Sequence, residues 1–145
     1  MGSHTGEQAI QAIQLGHDVV SYEADPQHFD SIESRNKGIS RKAENSWGNL
    51  KLLNRALSDK ADGEMTFLSH GSDSHLLSPG DNLSCVQCDA LNVSVSTLDI
   101  EMERGMFLNT KIPSVLKIDT QGSDLNVVAG GLKAIETKSF PYVMC

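Results

Sequence analysis

The segment Val115–Glu136, VLKIDTQGSDLNVVAGGLKAIE, constrains the fold more than any other part of the chain. The run from Pro113 to Asp119 is rich in leucine and β-branched side chains and ends on an acid, the pattern of a strand inside a sheet. Gly122 marks a tight turn, and a helical pattern follows. Leu125, Val128, Leu132 and Ile135 recur at spacings of three and four, which predicts one apolar stripe. Gly130 and Gly131 interrupt it. Each glycine costs roughly 1 kcal/mol of helix propensity, so the pair predicts close packing or a helix break. Strand, tight turn and helix are half of a βαβ unit. That predicts an α/β fold, a parallel sheet with helices on both faces.

The rest of the chain repeats the theme. Residues 5–16 read as a helix with Ala9, Ile10, Ala12 and Ile13 on its apolar face and Gly16 as its stop. DVVSYE is a short strand ending at Glu23. A helix follows over 24–36, with Asp25 as cap, Pro26 in the first turn, and Phe29 and Ile32 facing inward. Residues 37–48 are polar and read as loop-like, with Trp47 as an anchor. Strands are predicted over 50–55 and 64–69, separated by the ADG turn. The run 70–82 has loop composition. Residues 83–98 alternate as one or two strands, 98–107 form a short helix or irregular crossover, and FPYVMC begins a last strand.

Composition removes several function classes. The 145 residues suffice for one domain with a core. Lys and Arg total 12 against 19 Asp and Glu, a net charge of -7, and no basic run tracks a phosphate backbone. Nucleic acid is therefore not the expected partner. No apolar run reaches the length of a membrane span, and the first twenty residues hold no secretory pattern, so a cytoplasmic location is the default expectation. Three cysteines, Cys85, Cys88 and Cys145, are too few for a disulfide scaffold. CVQC has metal or redox spacing. A zinc site needs about four ligands, and only His70 and His75 are near to complete one. The pair is read as two ordinary thiols, and no metal is expected.

Ligands of open α/β sheets gather beyond the C-terminal ends of strands. Glu23, the pair Ser58 and Asp59, and Asp119 all fall there. A carboxylate at Glu23 can accept hydrogen bonds from the two hydroxyls of a ribose; otherwise it is a solvated strand end. Asp119 is placed to orient a cofactor or a reacting group, or else to cap its turn. Gln121 is within reach of the same place. Ser123 and Asp124 belong to the first helical turn, where an acid is favourable for structural reasons. GSHTG, with Gly2 and Gly6 around His4, lets backbone N–H groups approach an anionic ligand at a helix start. It reads equally as a plain turn or residues of cloning origin.

These blocks carry a resemblance. GSHTGEQAIQAIQLGHDVVSYEADPQHFDSIESRN, NRALSDKADGEMTF, VSTLD and VLKIDTQGSDLNVVAGG resemble, in this order, the FkbM-type S-adenosylmethionine-dependent methyltransferases. The likeness spans nearly the whole chain, and its last block is the most specific. It implies a Rossmann-like class I sheet and transfer of a methyl group from S-adenosylmethionine to an oxygen of a small-molecule or sugar acceptor. It implies that Gly2, His4 and Gly6 surround the methionine moiety and that Glu23 holds the ribose. Ala56, Leu57, Ser58 and Asp59 fall on the adenine side, and Asp119 close to the methyl donor. Thr97, Leu98 and Asp99 match a further family element, and Asp124 stands where the family commonly has glutamate. Asp119 is the candidate positioning acid and His4 the candidate for proton transfer.

Two departures matter. In the family a hydrophobic strand ending in an acid precedes the glycine loop, and a hairpin closes the sheet. This chain shows neither, so residues 1–145 are expected to form a partial domain, its sheet lacking the first strand and the C-terminal strands. That first strand would lie between DVVSYE and PSVLKID. Buried backbone groups left beside a gap cost roughly 1–3 kcal/mol each, so the chain is expected to bind cofactor weakly and to unfold without cooperativity. A nucleotide-linked oxidoreductase and a non-catalytic binding or interaction fragment of the same fold are the alternative readings.

Overall fold

A computed structural model of the chain describes residues 5–40, 47–70, 74–77, 87–106, 115–137 and 140–145. The described residues form a mixed α/β fold. Helix α1 (Glu7–Gln14) leads into strand β1 (Val19–Glu23), helix α2 (Pro26–Ser40) and strand β2 (Leu50–Asn54). β1 and β2 pair in parallel, Val19 opposite Leu50 and Glu23 opposite Asn54. The helix starts follow local chemistry. Gly6 caps α1 with φ 70, a left-handed conformation that glycine adopts without penalty, and a side chain there would strike Ile32. Asp25 caps α2 as predicted: its Oδ1 accepts from the amides of Gln27 at 2.8 Å and His28 at 3.4 Å. Helix α2 continues through residues 37–40, which the sequence assigned to a loop.

Arg55 interrupts the extended chain, and β3 (Ala56–Leu57) then leaves β2 for a second sheet. This sheet runs β3, β6 (Asp89–Ser96), β4 (Gly63–Ser69), β5 (His75–Leu76). β3 lies parallel to β6, while β4 runs antiparallel to both β6 and β5. The 70–82 region, expected to be all loop, thus supplies a short strand at 75–76. Helix α3 (Leu98–Glu103) begins at Thr97, whose hydroxyl accepts from Ile100 N. A third sheet pairs β7 (Val115–Lys117) in parallel with β8 (Tyr142–Met144), separated by helices α4 (Asp124–Ala129) and α5 (Leu132–Glu136). Parallel pairing is therefore present, but the described strands form three sheets where one was expected.

One core joins the three sheets. Tyr22, Leu57, Leu98, Leu116, Ile118, Val127, Ala134 and Phe140 pack together. Full burial of side chains such as Leu98 or Ile118 contributes about 1.5–3 kcal/mol each. A second cluster, Ala56, Phe67, Leu76, Val93 and Val95, lies within the β3–β6–β4–β5 sheet.

The apolar stripe expected on a single helix is corrected. Leu125 and Leu132 are exposed, and the buried positions are Val127, Gly130, Gly131 and Ala134. The reason lies in the glycine pair, which both breaks the helix and packs closely. An added Cβ at Gly130 would stand 2.0 Å from the Ser58 carbonyl oxygen, and one at Gly131 would stand 2.7 Å from Leu98. At these two positions smallness, not hydrophobicity, decides what is buried. Asp99 reinforces the break by accepting from the amides of Lys133 and Ala134, and so caps α5 from a distant helix. The reading of CVQC as two ordinary thiols is also corrected. Cys88 is disulfide-bonded, and its partner lies outside the described residues. That reading weighed what activates a thiol, which says nothing about whether two sulfurs meet.

Candidate functional site

β1 ends on Glu23, β3 on Leu57, and the chain leaves β7 through Ile118 to Asp119. These strands belong to three different sheets, yet Glu23, Leu57 and Asp119 line one cavity of about 190 Å³. Its walls differ in chemistry. Ala24, Ala56, Leu57, Phe67 and Leu76 give an apolar side; Glu23, Asp119, Thr120, Gln121 and Ser123 give a polar one; Tyr22, His28, Arg55, Ser74 and His75 complete the lining.

Each wall is held by local bonding. Glu23 is buried, and its Oε1 accepts from the Asp25 amide at 3.0 Å. Asp119 is exposed and takes a 2.7 Å ion pair from Lys117 two residues before it. The TQG turn is built around Asp124. Its Oδ1 accepts from the Thr120 amide at 2.7 Å and hydroxyl at 2.6 Å, and the hydroxyl contact foremost keeps its carboxyl below the usual range. Within that turn Gln121 has φ 51 and Gly122 φ 104. A non-glycine residue in the left-handed region costs roughly 1–2 kcal/mol, so a strained backbone carries Gln121 to the cavity.

The hairpin wall is tied to the α2 start. Ser69 at the end of β4 donates to Asp25 Oδ2 at 2.5 Å, and the His28 ring lies 4.0 Å from the same oxygen. Burial would raise the Asp25 carboxyl; the Ser69 hydroxyl and the Gln27 and His28 amides outweigh it and hold the group below its usual value.

An ion cluster adjoins the cavity through Tyr22 and Arg55, which both line it. Glu101 is fully buried; its Oε1 accepts from Arg55 Nη1 at 2.6 Å and Arg104 Nη1 at 3.0 Å, and its Oε2 from the Tyr22 hydroxyl at 3.2 Å. Desolvation pulls its carboxyl upward, but Ser96, Arg55 and Arg104 prevail and leave it below the ordinary range. The Ser96 hydroxyl, itself buried, sits beside that carboxylate without closing a hydrogen bond of standard geometry. Burial first, and Glu101 second, push the Tyr22 phenol far above its usual value.

The other sequence candidates lie elsewhere. Ser58 is buried under Gly130, donates to Asp59 Oδ1 at 3.0 Å and does not line the cavity. Asp59 pairs with Lys60 at 3.5 Å. Gly6 serves the α1 start and its contact with Ile32, outside the cavity lining. Gly2 and His4 lie outside the described residues. Arg55, His28, His75 and Phe67 were not foreseen. Arg55 had a usable signal: it stands one step past Asn54, which pairs with Glu23 at the shared C-terminal end of β1 and β2. Among the described residues no cluster of three or more His, Cys, Asp or Glu is arranged to hold a metal ion, and no helix is long and apolar enough to cross a membrane.

The family described as the methyltransferase FkbM domain matches residues 1–144, essentially the whole chain. The chain therefore belongs to the FkbM methyltransferase family. No curated protein and no solved structure matches it.

Proposed function

We propose that this member of the FkbM methyltransferase family binds S-adenosylmethionine in the cavity between Glu23 and Asp119 and serves methyl transfer to an oxygen of a small-molecule or sugar acceptor. The observation that carries the reading is the convergence of these two acids, from strands of different sheets, on one cavity with Leu57. The accompanying fold reading is an incomplete Rossmann-like sheet, with β1–β2 and β7–β8 as its parallel pairs and the cavity beyond their C-terminal ends.

The lining suits the cofactor's chemistry. A buried carboxylate at Glu23 is an acceptor for two ribose hydroxyls. Ala56, Leu57 and Phe67 offer a dry surface for a flat base. At about 190 Å³ the cavity is smaller than the roughly 300–1,000 Å³ usual for ligand pockets, so it encloses a nucleoside part and leaves the rest to its mouth.

When bound, the cofactor supplies a methyl group on a positively charged sulfur. Glu23 fixes the nucleoside, and the Lys117 ion pair fixes the direction of Asp119. Asp119 would align the acceptor hydroxyl beside that methyl group and accept its proton. Ser58 and Asp59 support the base side through the backbone that carries Leu57. Gly2, His4 and Gly6 are assigned to the methionine end, with His4 as a second proton acceptor. Thermal unfolding with S-adenosylmethionine, S-adenosylhomocysteine and NAD tests the reading. The adenosyl compounds should raise the midpoint and NAD should not. A rise with NAD alone would favour an oxidoreductase.

A further inference from the structure

Among the described residues that line the cavity, Arg55 is the one with a permanent positive charge. A guanidinium in a ligand cavity ordinarily attracts phosphate or carboxylate. Here it is already committed. Its Nη1 lies 2.6 Å from Glu101, a carboxylate with no solvent exposure. Arg104 meets the same carboxylate and also Asp62, so two guanidinium groups face two carboxylates. Tyr22 Oη completes the coordination of Glu101 and fixes its orientation. The cluster is neutral as a unit. The remaining permanent charges on the lining are the carboxylates Glu23 and Asp119, the latter compensated by Lys117.

We propose that the cavity selects unphosphorylated nucleosides over nucleotides, and that Glu101 sets this preference by withholding Arg55 from the ligand. The inference rests on the reading of the cavity as a nucleoside site. A phosphate adds about −1.5 to −2 charge at neutral pH. It would enter facing Glu23 and Asp119, with Arg55 Nη1 already held by Glu101. Glu101 touches no ligand in this arrangement; it is a positioning residue that acts through Arg55.

Calorimetric titration of the full chain with S-adenosylhomocysteine, adenosine and 5′-AMP tests this. Adenosine should bind about tenfold or more tighter than 5′-AMP at low salt, and the ratio should shrink as salt screens the repulsion. Glu101→Gln removes the counter-charge while Arg104 keeps Asp62, so Arg55 turns to the ligand and the ratio should fall toward one. Arg55→Gln should leave the ratio within about twofold of the parent, since the proposal gives Arg55 no hold on phosphate. This variant also decides the matter where Glu101→Gln does not fold. Selective loss of 5′-AMP affinity in Arg55→Gln overturns the proposal. So does 5′-AMP binding as tightly as adenosine to the parent chain. If S-adenosylhomocysteine binds in that second case, the cavity reading survives and only the selectivity falls. If neither S-adenosylhomocysteine nor adenosine binds, both readings fall together.

Discussion

Replacing one glycine by alanine should have opposite effects at two sites, for reasons visible in the packing. Gly130 lies between α4 and α5 with φ -74 and ψ -5, angles that alanine adopts readily. Conformational entropy alone would therefore favour Gly130→Ala by about 0.4–1 kcal/mol. The contact decides otherwise. The new Cβ would stand 2.0 Å from the Ser58 carbonyl oxygen and 3.2 Å from Thr97 Cβ. Ser58 is fully buried and its amide donates to Ser96 O at 3.0 Å, so the strand has little room to yield. Overpacking of this kind costs about 1–3 kcal/mol, often more against backbone. The net expectation is a loss of about 2 kcal/mol, or roughly 4–8 °C in Tm for a chain of this size. Gly38 is the control. It sits exposed in α2 with nothing within 4 Å of an added Cβ, so Gly38→Ala should gain about 0.5–1 kcal/mol. Urea and thermal unfolding of both variants give the answer. A Gly130→Ala protein as stable as Gly38→Ala would refute the claim that the glycine pair exists for close approach.

Four further outcomes follow from the same contacts. Glu101, Asp25 and Asp124 all have carboxyl groups held below their usual range. Their stabilisation is complete above the unfolded-state pKa of about 4 and is lost as pH falls through the lower folded values. Unfolding free energy by urea should thus be flat from pH 7 to about 5 and drop below about 4, less steeply in Glu101→Gln. Removing the Glu101 side chain altogether, by Ala, should cost about 3–5 kcal/mol, because Arg55 is left without its buried partner. Asp25→Ala should cost about 0.5–2 kcal/mol through the lost α2 cap; Ser69→Ala should cost less, yet raise hydrogen exchange in β4 and β5, which a cap defect alone would not do.

What could be read from the sequence was local. The strand before Asp119, the Asp25 cap with Pro26 behind it, and the turn at Gly122 each depend on neighbours a few residues away, and the structure has them. The glycine pair announced its cost, but the partner that justifies it, Ser58, lies far off in the chain. The buried stripe was missed for that reason: hydrophobic periodicity favours Leu125 and Leu132, whereas the close approach at Gly130 and Gly131 turns Val127 and Ala134 inward instead. Sheet assignment failed at Arg55, where one polar residue moves the chain from the β1–β2 pair to the β6 sheet. Glu101 was invisible because an acid in LDIEME reads as a solvated helical residue; only its meeting with Arg55, Arg104 and Tyr22 makes burial tolerable. Glu23 and Asp119 were legible as strand-end acids, although nothing local indicated that three sheets would deliver them to one cavity.

That shared cavity is tested most directly by calorimetric titration of S-adenosylhomocysteine into the parent chain, Glu23→Gln and Asp119→Asn. The account predicts saturable one-to-one binding to the parent, weakened about tenfold or more by Glu23→Gln and measurably by Asp119→Asn, with both variants folded. Parent-like affinity in both folded variants, or no binding to the parent at all, would contradict it.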